Sequence, residues 1–196
     1  MMQRKQIIPA ILLAVVIFLL FPGCKEETSP RPRGYFRIDT PEKHYQTFDT
    51  SSCPFTFRYP EYSAIEKAAS HPDKPCWFNL STQQLNAKIH MSYTPVNNNV
   101  ADLIEDSRTL AYKHAIKAEA IQERRFVNPD ANVYALKYEL KGNTASSVQF
   151  FITDSTKHFV RGALYFRAQP NKDSLAPLIR FFDADIDTLI ESFKWR

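Results

Sequence analysis

The sequence predicts an α+β domain, an antiparallel sheet carrying two main helices, and three observations predict it. Apolar and polar residues alternate through several short runs, within 53–59, 87–93 and 132–168, which is the period of a strand with one covered face. Twice the spacing changes to three and four, over about 100–120 and 174–193, the period of an amphipathic helix. Strands are grouped before each helix and do not alternate singly with helices, so neighbouring strands are joined by turns and the sheet is antiparallel.

Taken from the start, Arg4 and Lys5 precede a nearly continuous apolar run from Ile7 to Phe21, followed by Pro22, Gly23 and Cys24. About fifteen apolar residues make a signal-peptide core and fall short of the ~20 that a spanning helix needs. A small residue directly before a cysteine at the water-side edge resembles a bacterial lipobox, although Phe21 and Pro22 stand where Leu and a small residue are usual. That resemblance implies cleavage before Cys24, with diacylglycerol on its sulfur and an acylated new N-terminus. Residues 1–23 are thus the signal peptide, and the alternative is an uncleaved anchor helix. Several acyl chains, at about 0.8 kcal/mol per buried methylene, hold a protein firmly to a membrane.

Loss of Arg4 and Lys5 lowers the net charge from +4 to about +2, with charges scattered along the chain, which excludes the basic footprint of a nucleic-acid binder. Residues 24–52 carry three prolines and no period, and they read as a lipid-anchored tether. Tyr35, Phe36, Ile38, Tyr45 and Phe48 are too apolar for a plain linker. They either pack on their own domain or form an aromatic docking segment for a partner, with Tyr35, Phe36 and Ile38 as the candidate contacts. The single domain is expected over 53–196. Exported cysteines tend to pair, so Cys53 and Cys76 form either a disulfide or two buried thiols. If the strands that they begin are antiparallel neighbours, the sulfurs lie at opposite ends and beyond the ~7 Å reach of a bridge.

Cys53, Phe55, Phe57 and Tyr59 line one face of a strand that Pro60 ends. Cys76–Leu80 reads as a second strand, and Ala87, Ile89, Met91 and Tyr93 line a third. The helix over about 100–120 has Asn99 as its cap. A short strand near Glu123–Val127 precedes a three-stranded meander with a tight turn at Gly142-Asn143 and another at Asp154–Lys157. Its strands FFI and ALYF are apolar on both faces and so belong in the middle of the sheet. In the last helix Leu175, Leu178, Ile179, Phe182, Ile186, Leu189, Ile190 and Phe193 make one stripe. Ser174 is its expected cap, Pro177 lies in its first turn, and Asp185 falls off the stripe toward solvent.

Motifs for hydrolysis, metal binding and phosphate binding (GxSxG, HExxH, CxxC, a Gly-rich loop) are missing from the sequence, and no cofactor is expected beyond the lipid on Cys24. Two constellations carry the remaining polar chemistry. Arg108 and His114 on the first helix, with Asn143 and Ser146 of GNTASS, could line a small-ligand pocket. Asp102 and Asp106, one turn apart, offer a carboxylate pair for acid/base work or merely complement the helix start. His114 on the apolar stripe is equally at home as a structural residue, and GNTASS as a hairpin whose side chains bond their own backbone.

The stretches FRYPEYSAI and LIESFKW resemble the opening strand and closing helix of Mog1/PsbP-like domains, which implies a sheet between helices. PRPRGYFRID, LIEDSRTLAYKHAIKAEAI, KGNTASSVQFFITDSTKHFVRGALYF and NKDSLAPLIRFFDADIDTLIESFKW resemble the gliding motility lipoprotein GldD family of Bacteroidetes. The resemblance implies a non-catalytic accessory lipoprotein of gliding motility and the associated type IX secretion machinery. Its partners would be other envelope proteins of that machinery and the membrane itself. It carries over only Cys24, as lipid attachment site. The start Cys-Lys-Glu-Glu resembles surface-export signals of Bacteroidetes lipoproteins. The periplasmic side of the outer membrane is the expected residence, with the cell surface and the inner membrane as alternatives. A pocket binding a small ligand is the alternative function.

Overall fold

The computed structural model describes residues 38–113 and 118–196. Cys24, Tyr35, Phe36 and His114 lie outside the described residues. Ten strands and two helices follow in the order β1 (Tyr45–Asp49), β2 (Phe55–Pro60), β3 (Ala64–Lys67), β4 (Phe78–Thr82), β5 (Ala87–Pro95), α1 (Val100–Lys113), β6 (Ala118–Asn128), β7 (Val133–Gly142), β8 (Ser146–Thr153), β9 (His158–Phe166), α2 (Lys172–Glu191) and β10 (Lys194–Trp195). Seven strands form one antiparallel sheet in the order β3-β4-β5-β9-β8-β7-β6, and β1-β2-β10 form a smaller one. The α+β class and the antiparallel sheet with two helices are as the sequence predicts.

Alternation decides which residue faces which layer. On β8, Val148, Phe150 and Ile152 face the core shared with α2 and the small sheet, while Phe151 faces α1. Every residue of β8 is buried, as its two-sided apolarity requires of a central strand. Under α1, Tyr138, Leu140, Phe151 and Phe159 meet Leu103, Ile104 and Ala111. The larger core gathers Phe48, Phe55, Phe57, Phe78 and Phe193, with ring centroids 4.8–6.2 Å apart, against the α2 stripe of Leu178, Phe182, Ile186, Leu189 and Ile190. Helices thus cover both faces of the large sheet.

Several expectations change. The domain begins before residue 53: Tyr45–Asp49, assigned to the tether, pairs with β2 and buries Phe48. The aromatic residues there pack on their own domain because β2 offers them an edge. The second strand runs Phe78–Thr82, two residues later than expected, and β3 and β10 are additional. The first helix is described over Val100–Lys113, and Ala118–Asn128 is a strand that takes in the short one expected near Glu123–Val127. Ala118 continues the helical spacing, but ten residues of β7 compete for that segment as a ladder partner, and the ladder wins.

Asn171, rather than Ser174, caps α2, its side chain accepting from the backbone N–H of Asp173 and Ser174 at 3.1 and 3.2 Å. Pro177 consequently sits in the second turn. The β7–β8 connection is a three-residue loop, Asn143–Ala145, in place of a two-residue turn, with Gly142 at φ 112° supplying the left-handed residue.

Cys53 and Cys76 form a disulfide with a Cα–Cα distance of 5.6 Å. The geometric objection to it assumed adjacent strands. In the fold Cys53 precedes β2 of the small sheet and Cys76 precedes β4 of the large one, so the bridge joins sheets.

Candidate interaction surface

Asp185 projects from the flank of α2 that the stripe leaves uncovered, yet its side chain is only 1 % exposed. The segment leading into β1 covers it. Lys43 Nζ donates to its Oδ1 at 2.8 Å, Tyr45 Oη to the same oxygen at 2.7 Å, and Tyr62 Oη to Oδ2. Lys43 also donates to the Phe181 carbonyl at 2.7 Å and lies 4.4 Å from that ring. Burial first, then the hydrogen bond to Asp185 and its charge, push the Tyr62 hydroxyl far above its ordinary pKa. Asp185 therefore corrects the expectation of a solvated side chain: α2 has neighbours on two sides, so its buried arc is wider than one stripe. The segment that leads into β1 is locked to α2 by this carboxylate.

A second buried polar cluster lies between β7 and α2. Lys137, fully buried, donates to Asp183 at 2.7 Å and Asp187 at 2.6 Å, with Glu139 at 3.5 Å. Burial alone would lower the lysine pKa. The hydrogen bonds and charges of Asp183 and Asp187 outweigh it and raise the value, so the ammonium stays charged. Sequence reasoning missed this cluster, although its signal was present. Lys137 shares the parity of Val133 and Ala135, and Asp183 and Asp187 are spaced by four.

The candidate pocket residues do not converge. Arg108 is exposed on α1, ion-paired to Glu105 at 3.3 Å and 5.1 Å from the Tyr112 ring. Asp102 and Asp106 are both exposed. Asn143 accepts from the Lys172 N–H at 2.8 Å and borders a cavity of about 410 Å³ that Arg108 does not line. Ser146 is fully buried, with its hydroxyl toward the Val148 carbonyl at 3.4 Å. Ile38 is 37 % exposed.

A cavity of about 750 Å³ lies on the open face of β4, β5 and β9. It holds Lys88 paired to Glu66 at 2.7 Å and His90 bonded through Nδ1 to Asn79 at 2.5 Å. Burial, then the Lys88 charge, lower the His90 pKa and keep the ring neutral. Among the described residues no group of His, Cys, Asp and Glu could hold a metal ion, and no helix is long and apolar enough to cross a membrane.

What the surface does offer is an edge. β6 is eleven residues long, and none of them is fully buried. It pairs with β7 along one side, and among the described residues no strand pairs with the other. Its side chains include Arg124, Arg125 and Val127, the last 66 % exposed beside Tyr134 at 37 %. Backbone donors and acceptors in a row make such an edge a template for another chain.

The sequence profile of the gliding motility lipoprotein GldD family matches residues 25–195. The chain belongs to that family. The GldD-family match spans β1 through β10. No curated protein matches the chain in sequence. Among solved structures it is similar to the solution structure of cyanobacterial PsbP (CyanoP) from Synechocystis sp. PCC 6803. Sequence identity is 10%, 82% of this chain and 98% of that one are covered, and the TM-score is 0.46.

Proposed function

We propose that the chain is a lipid-anchored, non-catalytic accessory protein of gliding motility and of the associated type IX secretion machinery. It supports the assembly or stability of that machinery through protein contacts. The observation that carries this reading is the GldD-family match over residues 25–195. In this reading Cys24 bears the lipid, on the periplasmic side of the outer membrane, and no cofactor is used. Tyr35 and Phe36, next to the exposed Ile38, reach a partner beside the anchor. The unpaired edge of β6 supports a role in contacts, since extended backbone recognises extended backbone. The solvent exposure of Asp102, Asp106 and Arg108 weighs against an acid/base site built on α1.

Two sets of variants test it. Cys24→Ser is expected to accumulate as a heavier precursor without palmitate label, and normal labelling would contradict the anchor. Tyr35→Ala with Phe36→Ala is expected to abolish gliding and reduce co-purifying envelope proteins while the domain stays folded, because a few aromatic anchors dominate an interface. Asp102→Asn and Asp106→Asn are expected to glide normally. A folded, normally abundant Asn variant that keeps its partners and does not glide would reopen an enzymatic role.

A further inference from the structure

The exposed strand β6 carries a pattern that is complementary to its own reverse. On the α1 side of the sheet it presents Ile121, Glu123, Arg125 and Val127 in turn, which is apolar, acidic, basic, apolar. We propose that two copies of this chain pair through β6, antiparallel, about a two-fold axis at Arg124. This deepens the accessory-protein reading and rests on it.

Symmetry and parity select the register. A two-fold that continues a sheet runs perpendicular to it and keeps each face on its own side. Directly opposite residues of an antiparallel pair share a face, so odd positions meet odd and even meet even. Centring on Glu123 or Arg125 sets like charges against each other. Centring on Gln122 puts Ile121 against Glu123, and centring on Phe126 puts Arg125 against Val127. Only the register about Arg124 satisfies the whole face: Glu123 meets Arg125 of the second copy and Ile121 meets Val127, each twice.

The even face accommodates the same register. Arg124 comes opposite its own counterpart, but its guanidinium is drawn onto its own α2, 2.6 Å from Asp187 and 3.9 Å from Glu191, and lies 4.6 Å from the Phe126 ring. The charge at the axis is thus neutralised within each copy.

Two further features fit an edge made for this occupant. Arg125, exposed, has no ion-pair or hydrogen-bond partner among the described residues, and Val127 is the most exposed of their large hydrophobic residues. Pairing with a second copy supplies an acid to the first and an apolar neighbour to the second. The irregularity between Ala118 and Ala120 ends the regular edge at one side, as bulges do. Charge on an edge strand ordinarily repels other edges. Here the order of signs repels strangers and matches itself.

The test uses the full-length chain in its own envelope membranes. Opposite residues of an antiparallel pair have Cα atoms about 4.5–5.5 Å apart, inside the roughly 4.4–6.8 Å range of a disulfide. Arg124→Cys is expected to give a disulfide-linked dimer on mild oxidation, whereas Ile121→Cys or Val127→Cys alone gives none. Co-expressed Ile121→Cys and Val127→Cys chains, which keep Arg124, are expected to cross-link to each other. Adding Arg125→Glu should lower the Arg124→Cys dimer several-fold, and further adding Glu123→Arg should restore it.

Failure of both the Arg124→Cys and the mixed cross-links overturns the proposal, as does an equal dimer from Val127→Cys alone. Cross-linking of Arg124→Cys to a different protein also overturns it, in favour of a foreign strand. A chain that never dimerises yet supports gliding and keeps its envelope partners overturns self-pairing and leaves the accessory reading standing. Loss of partners with dimerisation intact does the reverse.

Discussion

A carboxylate withdrawn from water needs donors for its lone pairs, and Asp185 draws its own from three residues 123 to 142 positions away in sequence. Asp185→Ala leaves two tyrosine hydroxyls and an ammonium without their acceptor. The expected cost is about 1–3 kcal/mol, the range for an orphaned buried polar group, toward the lower part because Lys43 is 31 % exposed. Phe182→Ala, 2 % exposed in the core, should cost more, about 3–5 kcal/mol. Urea denaturation of the two variants checks the order, and a near-zero effect of Asp185→Ala would mean that water reaches that flank. Neither the burial of Asp185 nor its partners could be read from α2 itself. Periodicity reports the widest apolar face of a helix, and the residue's environment is set by Lys43, Tyr45 and Tyr62, far away in sequence.

Between β8 and β9 the large sheet depends on one close approach. Gly162 pairs with Phe150, and a Cβ at Gly162 would lie 2.1 Å from the Phe150 ring. The ring is 1 % exposed and has core on every side, so it cannot swing away without moving its neighbours. Gly162→Ala should therefore destabilise by about 1–3 kcal/mol, the usual cost of overpacking, and Phe150→Leu in the same chain should recover part of it. The following turn has its own switch. Asp154 accepts from the backbone N–H of Thr156, Lys157 and His158 at 2.8–3.0 Å. Partial burial opposes ionisation there, but the three backbone bonds outweigh it and hold the pKa below its ordinary 3.8.

A depressed carboxylate pKa stabilises the fold above the ordinary value and loses that contribution as pH falls through the folded value. Asp154→Asn should thus lower stability at pH 6–7 by roughly 1 kcal/mol and flatten the acid limb below about pH 4, as thermal melts across pH would report. These central strands were legible because FFI and ALYF are apolar at every position and Asp154–Lys157 is a strong turn signal. β6 was not. Its sequence AEAIQERRFVN has no clean alternation, since an edge strand covered only in part is not obliged to alternate, and β7 supplies its reason to be extended. The candidate pocket residues were grouped by chemistry alone: Arg108 stands exposed on α1, while Asn143 lies in the β7–β8 loop and Ser146 is buried at the start of β8.

At the largest scale the described residues form two sheets sharing α2, and the bridge between Cys53 and Cys76 ties the sheets together. β1 is short, and any pull on the segment that leads into it would act on it first. Two devices resist that pull: the Asp185 lock on Lys43 and Tyr45, and the disulfide that holds the start of β2. A loop with a sequence separation of 23 is worth about 3 kcal/mol on the chain-entropy view, and it acts on the unfolded chain whatever the load. The Asp185 contacts act only while β1 is seated. Cys53→Ser with Cys76→Ser should therefore lower the midpoint of equilibrium unfolding while leaving the protease sensitivity of Lys43 unchanged under native conditions. Asp185→Asn should do the opposite, exposing Lys43 to trypsin with a smaller change in global stability. Limited proteolysis beside a denaturation curve separates the two effects. Equal sensitivity of Lys43 in both variants would show that β1 and the disulfide open together and that the small sheet unfolds as one unit.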